Sequence, residues 1–166
     1  MSHHEHEAEA PSILETAVLT LSDTRSEAED ASGHLLRELL TNAGHRIQKY
    51  AVIREDPRLI EETLADWLNS PIDVIITNGG TGLTSRDGTI EIATRLMSKE
   101  LPGFGELFRA LSFQQIGPAA MLSRATAGLA NGKILICLPG STSAVRLAAT
   151  RLILPQIGHL VREARR

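Results

Sequence analysis

The run Asn78-Gly79-Gly80-Thr81-Gly82-Leu83-Thr84-Ser85-Arg86-Asp87 holds the densest chemistry in this chain of 166 residues. It follows a β-branched run, Asp73-Val74-Ile75-Ile76-Thr77. Glycines just past a strand let the backbone turn sharply and bring its N–H groups against an anion with no Cβ in the way. The hydroxyls, Arg86 and Asp87 that follow suit a phosphorylated ligand and its metal. The block is not a Walker A loop, because no Gly-Lys-Ser/Thr follows. Nor is it a dinucleotide fingerprint, because Ser85 stands where a third glycine is required. A bare strand-to-helix turn would explain two adjacent glycines but leaves Thr81, Gly82, Thr84, Arg86 and Asp87 without a role. Anion binding is the preferred reading.

Two carboxylates stand at loop-to-helix junctions, Asp87 and Asp56, the latter directly before Pro57. Either one alone reads as a helix N-cap. Together, on the ligand side of a sheet, they could share a Mg²⁺ bridged to phosphate oxygens. His34, His45 and His159 are too dispersed for a zinc site. Pro139-Gly140-Ser141-Thr142-Ser143 joins a turn to a hydroxyl-rich helix start and reads equally as an anion site or as capping by Ser141. A serine nucleophile is not expected, since there is no Gly-x-Ser-x-Gly elbow and no convincing Asp–His partner. Cys137 lies in the apolar run Ile134–Leu138 and reads as a buried, inert thiol.

The elements that must position these residues follow from hydrophobic period. Ala17–Leu21 reads as a strand ending in the polar loop Ser22-Asp23-Thr24-Arg25. From Asp30, the residues Ala31, Leu35, Leu36, Leu39, Leu40 and Ala43 form a helical stripe, with Gly44 as its stop. A strand over Arg46–Ile53 precedes a helix opened by Pro57, with Ile60, Leu64, Trp67 and Leu68 inward. A helix from Thr89 to Met97 follows the glycine block, Leu101-Pro102-Gly103 breaks it, and Phe104 to Gln114 forms another. Asn131-Gly132 signals a type I′ hairpin between strands over 123–130 and 133–138. The last long helix carries Ala144, Val145, Ala148, Ala149, Leu152 and Ile153, with Pro155 ending or kinking it.

Strand–helix alternation predicts a mostly parallel, mixed sheet covered on both faces, a three-layer α/β/α sandwich. Ligands in such folds bind beyond the carboxyl ends of the strands, at a topological switch point. The loops Ser22–Thr24, Asn78–Asp87 and Pro139–Ser143 are therefore expected to converge.

Composition narrows the function classes. A formal net charge of -3 gives no nucleic-acid footprint, and 3% aromatic residues leave no base-stacking platform. No apolar run approaches the ~18 residues of a membrane span, so no membrane partner and a cytoplasmic location are expected. Residues 1–12, with His3, His4 and His6 among glutamates, read as a disordered tail ahead of one domain over 13–166.

The chain resembles the molybdenum cofactor biosynthesis proteins of the MoaB/MogA type, which include the G domain of gephyrin and plant molybdopterin adenylyltransferases. The matching blocks are Leu19–Asp23, Asp30–Gly33, Thr77–Asp87, Pro102–Glu106, Ala120–Arg124 and Leu138–Ser141, spread over residues 14–160. Phe104–Phe108 and Gly140–Thr142 lean toward the B-type branch. The resemblance implies a MogA-like fold, homo-oligomers (trimer or hexamer) and binding of molybdopterin, a pterin dithiolene with a terminal phosphate. Active members transfer AMP from Mg²⁺–ATP to that phosphate and release pyrophosphate; a non-catalytic molybdopterin-binding or carrier role is the alternative. By motif match, Asp56 and Asp87 carry metal and catalysis. Gly79, Gly80, Thr81 and Gly82 line the site, and Ser22, Ser112, Gly140 and Ser141 contact substrate or nucleotide. The family block Arg-Asp-Val-Thr-Pro-Glu here reads Arg86-Asp87-Gly88-Thr89-Ile90-Glu91. The missing Pro removes a pre-set φ near the helix start. Oligomerisation is also expected from the C-terminal residues Ile157, Leu160 and Val161, which have little chain left to cover them.

Overall fold

The computed structural model describes residues 13–166, so the expectations for the first twelve residues lie outside it. In chain order come β1 (Glu15–Leu21), α1 (Ala31–Asn42), β2 (Arg46–Ile53), α2 (Pro57–Leu68), β3 (Val74–Asn78), α3 (Thr89–Leu96), β4 (Lys99–Glu100) and α4 (Pro102–Ile116). A 3-10 stretch (Gly117–Leu122), β5 (Thr126–Ala130), β6 (Lys133–Leu138), α5 (Thr142–Ala148), a π-helical turn (Ala149–Ile153) and α6 (Leu154–Ala164) complete it.

The strands form one sheet in the order β2-β1-β3-β6-β5-β4, with β2, β1, β3 and β6 parallel and β5 and β4 antiparallel. The period of two along each strand divides the core. Val18, Val74, Ile76, Ile134 and Ile136 face α1, α4, α5 and α6. Ala17, Leu19, Ile75, Leu135 and Cys137 face α2 and α3. This is the three-layer α/β/α sandwich, with the helix after β1 on one face and the helix after β2 on the other. The loops part there, which makes the crevice between the ends of β1 and β3 the switch point.

Local expectations were met where side-chain chemistry dictates backbone geometry. The stripe expected from Asp30 onward forms α1, and the Asp30 carboxylate accepts from the Gly33 amide at 2.9 Å at its start. The helix closes with a Schellman pair, Gly44 N–H to Thr41 O and His45 N–H to Leu40 O. Asn131 and Gly132 both have positive φ, 47° and 72°, as a type I′ turn demands.

Several expectations were not met. The hairpin's first strand begins at Thr126, because residues before it wind into the 3-10 stretch. Ala31 and Ala43 are exposed rather than part of the α1 stripe. Pro155 does not end the last helix: the π-helical turn before it widens the hydrogen-bond ladder where the ring would collide with a carbonyl. The edge strand β4 gave no sequence signal, since Lys99-Glu100 has no apolar alternation; a short charged strand is how sheet edges resist further pairing. Ile157 and Val161, expected at a subunit surface, are buried in this chain's own core. Exposed apolar residues instead include a group on α4 and the stretch after it, Leu107, Phe113, Ile116, Met121 and Leu122.

Candidate active site

The carboxyl ends of β1, β3 and β6 meet at a polar cleft of about 390 Å³, within the size range of small-molecule sites. Its walls are Leu21–Arg25 after β1, Glu55 after β2, Gly79–Gly82 and Asp87 after β3, and Gly140 after β6. The loops touch closely. The Gly79 amide donates to Leu138 O at 3.0 Å. A Cβ on Gly79, which has φ 97°, would lie 2.3 Å from Leu21 O. Only glycine lets the β1 and β3 loops approach this far.

Three carboxylates, those of Asp23, Glu55 and Asp87, face the cleft. Burial, then the charges of Asp87 and Asp23, push the Glu55 carboxyl above its ordinary range. Asp87 is held below it, chiefly by the Thr84 hydroxyl at 2.6 Å, with the Thr84 and Gly82 amides and the charge of Arg124 assisting against burial. Arg86 pairs with Asp23 at 2.8 Å. Arg25 lines the mouth, its Nη1 long, at 3.4 Å, to both Gly140 O and Ser32 Oγ. The cleft is thus acidic, with glycine backbone on one side and one loosely tethered guanidinium on the other.

Behind the glycine loop lies a buried polar network. Asn78 donates to Thr20 Oγ1 at 2.9 Å and accepts from Ser32 Oγ at 2.8 Å. The Asp30 carboxylate accepts from Thr20 Oγ1 (2.6 Å), Tyr50 OH (2.8 Å) and the Gly33 amide. Burial alone would raise the Asp30 carboxyl, but these donors hold it below its ordinary range. The Tyr50 hydroxyl is pushed up by burial and by Asp30. The network pins the end of β3 to β1, β2 and α1.

Of the residues singled out from sequence, Ser22, Gly79, Gly80, Thr81, Gly82, Asp87 and Gly140 line the cleft. Asp56, Ser112 and Ser141 do not. Asp56 is exposed, and its carboxylate accepts from the Leu59 amide at 3.0 Å as the N-cap of α2. Glu55, one residue earlier, takes the cleft position. Ser112 is buried in α4, and Ser141 caps α5 through the Ala144 amide at 3.2 Å. Cys137 is buried, its thiol pushed up to about 12 by burial. Asp30 marks the start of a helical stripe and Asn78 the start of the glycine loop in sequence; their partnership is a long-range contact and gave no signal. Gly88 gives α3 no side-chain cap, yet Asp87 is fixed by Thr84 regardless.

Comparison with known proteins agrees with this architecture. Residues 17–159 match the family described as a probable molybdopterin binding domain. The chain is similar to the molybdenum cofactor biosynthesis protein B of Bacillus cereus, with 47% identity over 100% of this chain and 99% of the relative. A crystal structure of a molybdenum cofactor biosynthesis protein B superposes with a TM-score of 0.89 at 47% identity, covering 94% of this chain and 98% of that one. The tungsten cofactor synthesizing protein MoaB from Pyrococcus furiosus superposes with a TM-score of 0.86 at 36% identity, covering 95% and 100%. The chain belongs to the MoaB/MogA molybdopterin-binding family, in its B-type branch.

Proposed function

We propose that this chain binds molybdopterin in the cleft and transfers AMP from Mg²⁺–ATP to its terminal phosphate, as a step of molybdenum cofactor biosynthesis. The observation that carries the reading is the meeting of the Gly79–Gly82 backbone with Asp23, Glu55 and Asp87 in one polar cleft. In the transfer, an oxygen of the pterin phosphate attacks the α-phosphorus of ATP. The bond from that phosphorus to the bridging oxygen breaks, and pyrophosphate leaves with the electron pair. Such chemistry needs mainly positioning and charge stabilisation.

Glycine-loop amides would hold phosphate oxygens, and Arg25 would add a cation at the mouth. Glu55 and Asp87 would hold Mg²⁺, which when bound supplies neutralisation of phosphate charge. The fit rests on geometry, since both carboxylates line one cleft beside the glycine-loop amides; the charge of Asp87, which adds to burial in raising the Glu55 carboxyl, is one a divalent ion would offset. Among the described residues no three acidic or His/Cys side chains form a ready cage. Mg²⁺ usually takes one or two carboxylates plus waters and substrate phosphates. The metal role expected of Asp56 is given to Glu55 on geometry.

Incubation with molybdopterin and Mg²⁺–ATP should yield adenylylated pterin and pyrophosphate, and Asp87→Ala should abolish both. Intact protein that binds both substrates without turnover overturns the enzymatic reading. The uncapped start of α3 at Gly88 favours a second reading, a non-catalytic carrier of molybdopterin. That reading requires saturable pterin binding indifferent to ATP and Mg²⁺. We also place a homo-oligomer contact on the exposed apolar surface of α4 and the following turn, around Phe113 and Met121. Sedimentation of Phe113→Glu at 18.0 kDa, against a larger species for the unaltered protein, is the expected result.

A further inference from the structure

Arg124 lies outside the cleft lining and touches neither Glu55 nor Asp23, yet it is the best-anchored cation near the glycine loop. Its Nε donates to Thr81 O at 2.9 Å. Its two terminal nitrogens grip Glu91 of α3, at 2.6 Å to Oε1 and 3.1 Å to Oε2. Thr81 is itself buried in the middle of the loop. One guanidinium therefore ties three pieces of chain together: the glycine loop, the first turn of α3, and the segment leading into β5.

The grip on Thr81 O has a geometric consequence. In a trans peptide the carbonyl and the following N–H point in opposite directions. Holding the Thr81 carbonyl toward Arg124 turns the Gly82 N–H the other way, toward Asp87. Gly82 sits so close that a Cβ there would fall 2.7 Å from Asp87 Oδ2. Elsewhere the loop is closed by its own bonds: Thr89 N–H to Gly80 O, and Thr84 N–H and Oγ1 to Asp87. Arg86, the other loop cation, reaches across to Asp23 with an exposed side chain and leaves the peptide orientation unset.

We propose that Arg124, held in place by Glu91, is the positioning residue that orients the Thr81–Gly82 peptide and so helps place Asp87, which Thr84 also holds, in the cleft. Glu91, in the first turn of α3, ties that turn to Arg124 through its side chain, where Ile90 leaves the helix entry without a pre-set φ. A guanidinium suits the task because its rigid fork serves a carbonyl and a carboxylate at once, whereas an ammonium is a point charge.

The consequence for catalysis rests on the adenylyl-transfer reading, but the peptide orientation does not, so the test has two arms. In the ligand-free protein, amide hydrogen exchange is followed at Gly82 and Thr84 for Arg124→Lys, Arg124→Gln and Glu91→Gln. Loss of a charge-assisted bond should speed exchange at Gly82 about tenfold in both Arg124 variants and a few-fold in Glu91→Gln. Core amides such as Ile76 serve as the check that the fold is intact. Unchanged Gly82 exchange in Arg124→Gln, or full protection in Arg124→Lys, overturns the proposal; the latter would mean that charge alone suffices. In the second arm, kcat for adenylyl transfer should fall about tenfold or more in Arg124→Lys, with molybdopterin affinity within about twofold. An equal loss of pterin affinity would instead make Arg124 a general stabiliser of the site and refute the positioning role. If the unaltered protein does not turn over, the exchange arm still decides the proposal while the enzymatic reading fails separately. Should Arg124→Gln fail to fold, Arg124→Lys and Glu91→Gln carry the exchange measurement.

Discussion

Two groups of carboxylates stand on either side of the same glycine loop and live in opposite conditions. Behind the loop, Asp30 is buried but receives hydrogen bonds from Thr20, Tyr50 and Gly33, with the Ser32 hydroxyl also near, and its carboxyl is held low. In front of it, Glu55 is only half-buried, faces the charges of Asp87 and Asp23, and is raised. Burial opposes ionisation in both places. Donors outweigh it at Asp30; at Glu55 like charges add to it. The rear carboxylate is satisfied by donors of this chain, while the front one shares a polar cleft with like charges. That contrast separates a carboxylate that builds the site from one that lines it.

The largest effect should come from the rear. Asp30→Ala strands several buried donors at once and should lower unfolding free energy by about 3–5 kcal/mol, measured by urea denaturation. A loss under about 1 kcal/mol would mean that the network is not a structural keystone and would erase the comparison.

The second effect is a pH profile whose two limbs belong to the two sides. The folded Asp30 carboxyl lies below its ordinary 3.8. Its contribution is fully present above about pH 4 and lost as pH falls through the lower folded value. Glu55 has the opposite sign. Its folded value lies above the ordinary 4.5, so ionising it costs stability that returns as pH falls toward that range. Stability should therefore rise slightly as pH falls toward the ordinary Glu55 value of 4.5 and be lost as pH falls below the ordinary Asp30 value of 3.8. In Asp30→Asn the acid limb should flatten, and in Glu55→Gln the slight rise should vanish. Chemical denaturation across pH 3–7 reads both.

The smallest effect sharpens the front. Glu55→Gln should leave the ligand-free protein as stable as before or more so, by on the order of 0.5 kcal/mol, because it removes repulsion without opening a cavity. A clear destabilisation would put Glu55 with Asp30 as a structural residue.

Much of this was legible in the sequence where local chemistry sets local geometry. The glycine loop, the Asn131-Gly132 turn, the Gly44 stop and the strand periods each depend on a few adjacent residues. The layered fold followed from their order. Side-chain direction at a junction was not legible: Asp56 and Glu55 are neighbours, and only the path of the chain into α2 decides that Asp56 turns back to cap the helix while Glu55 enters the cleft. Ser112 falls on the same helical face as Phe104 and Phe108, but a lone hydroxyl adds nothing to an apolar pattern, so its burial inside α4 did not show. The Asp30–Thr20–Asn78–Ser32 network and the Arg124 grip join residues 10 to 58 positions apart, contacts that exist only after the sheet has formed. Ile157 and Val161 looked uncovered because the sheet face that covers them comes from distant strands.

Adenylyl transfer from Mg²⁺–ATP to molybdopterin, followed by pyrophosphate release in Glu55→Gln and Asp56→Asn side by side, tests the account most directly. The account expects Glu55→Gln to lose activity about a hundredfold or more while remaining folded, and Asp56→Asn, which can still cap α2, to stay within a few-fold of the unaltered protein. Full activity in Glu55→Gln together with collapse in Asp56→Asn would contradict it.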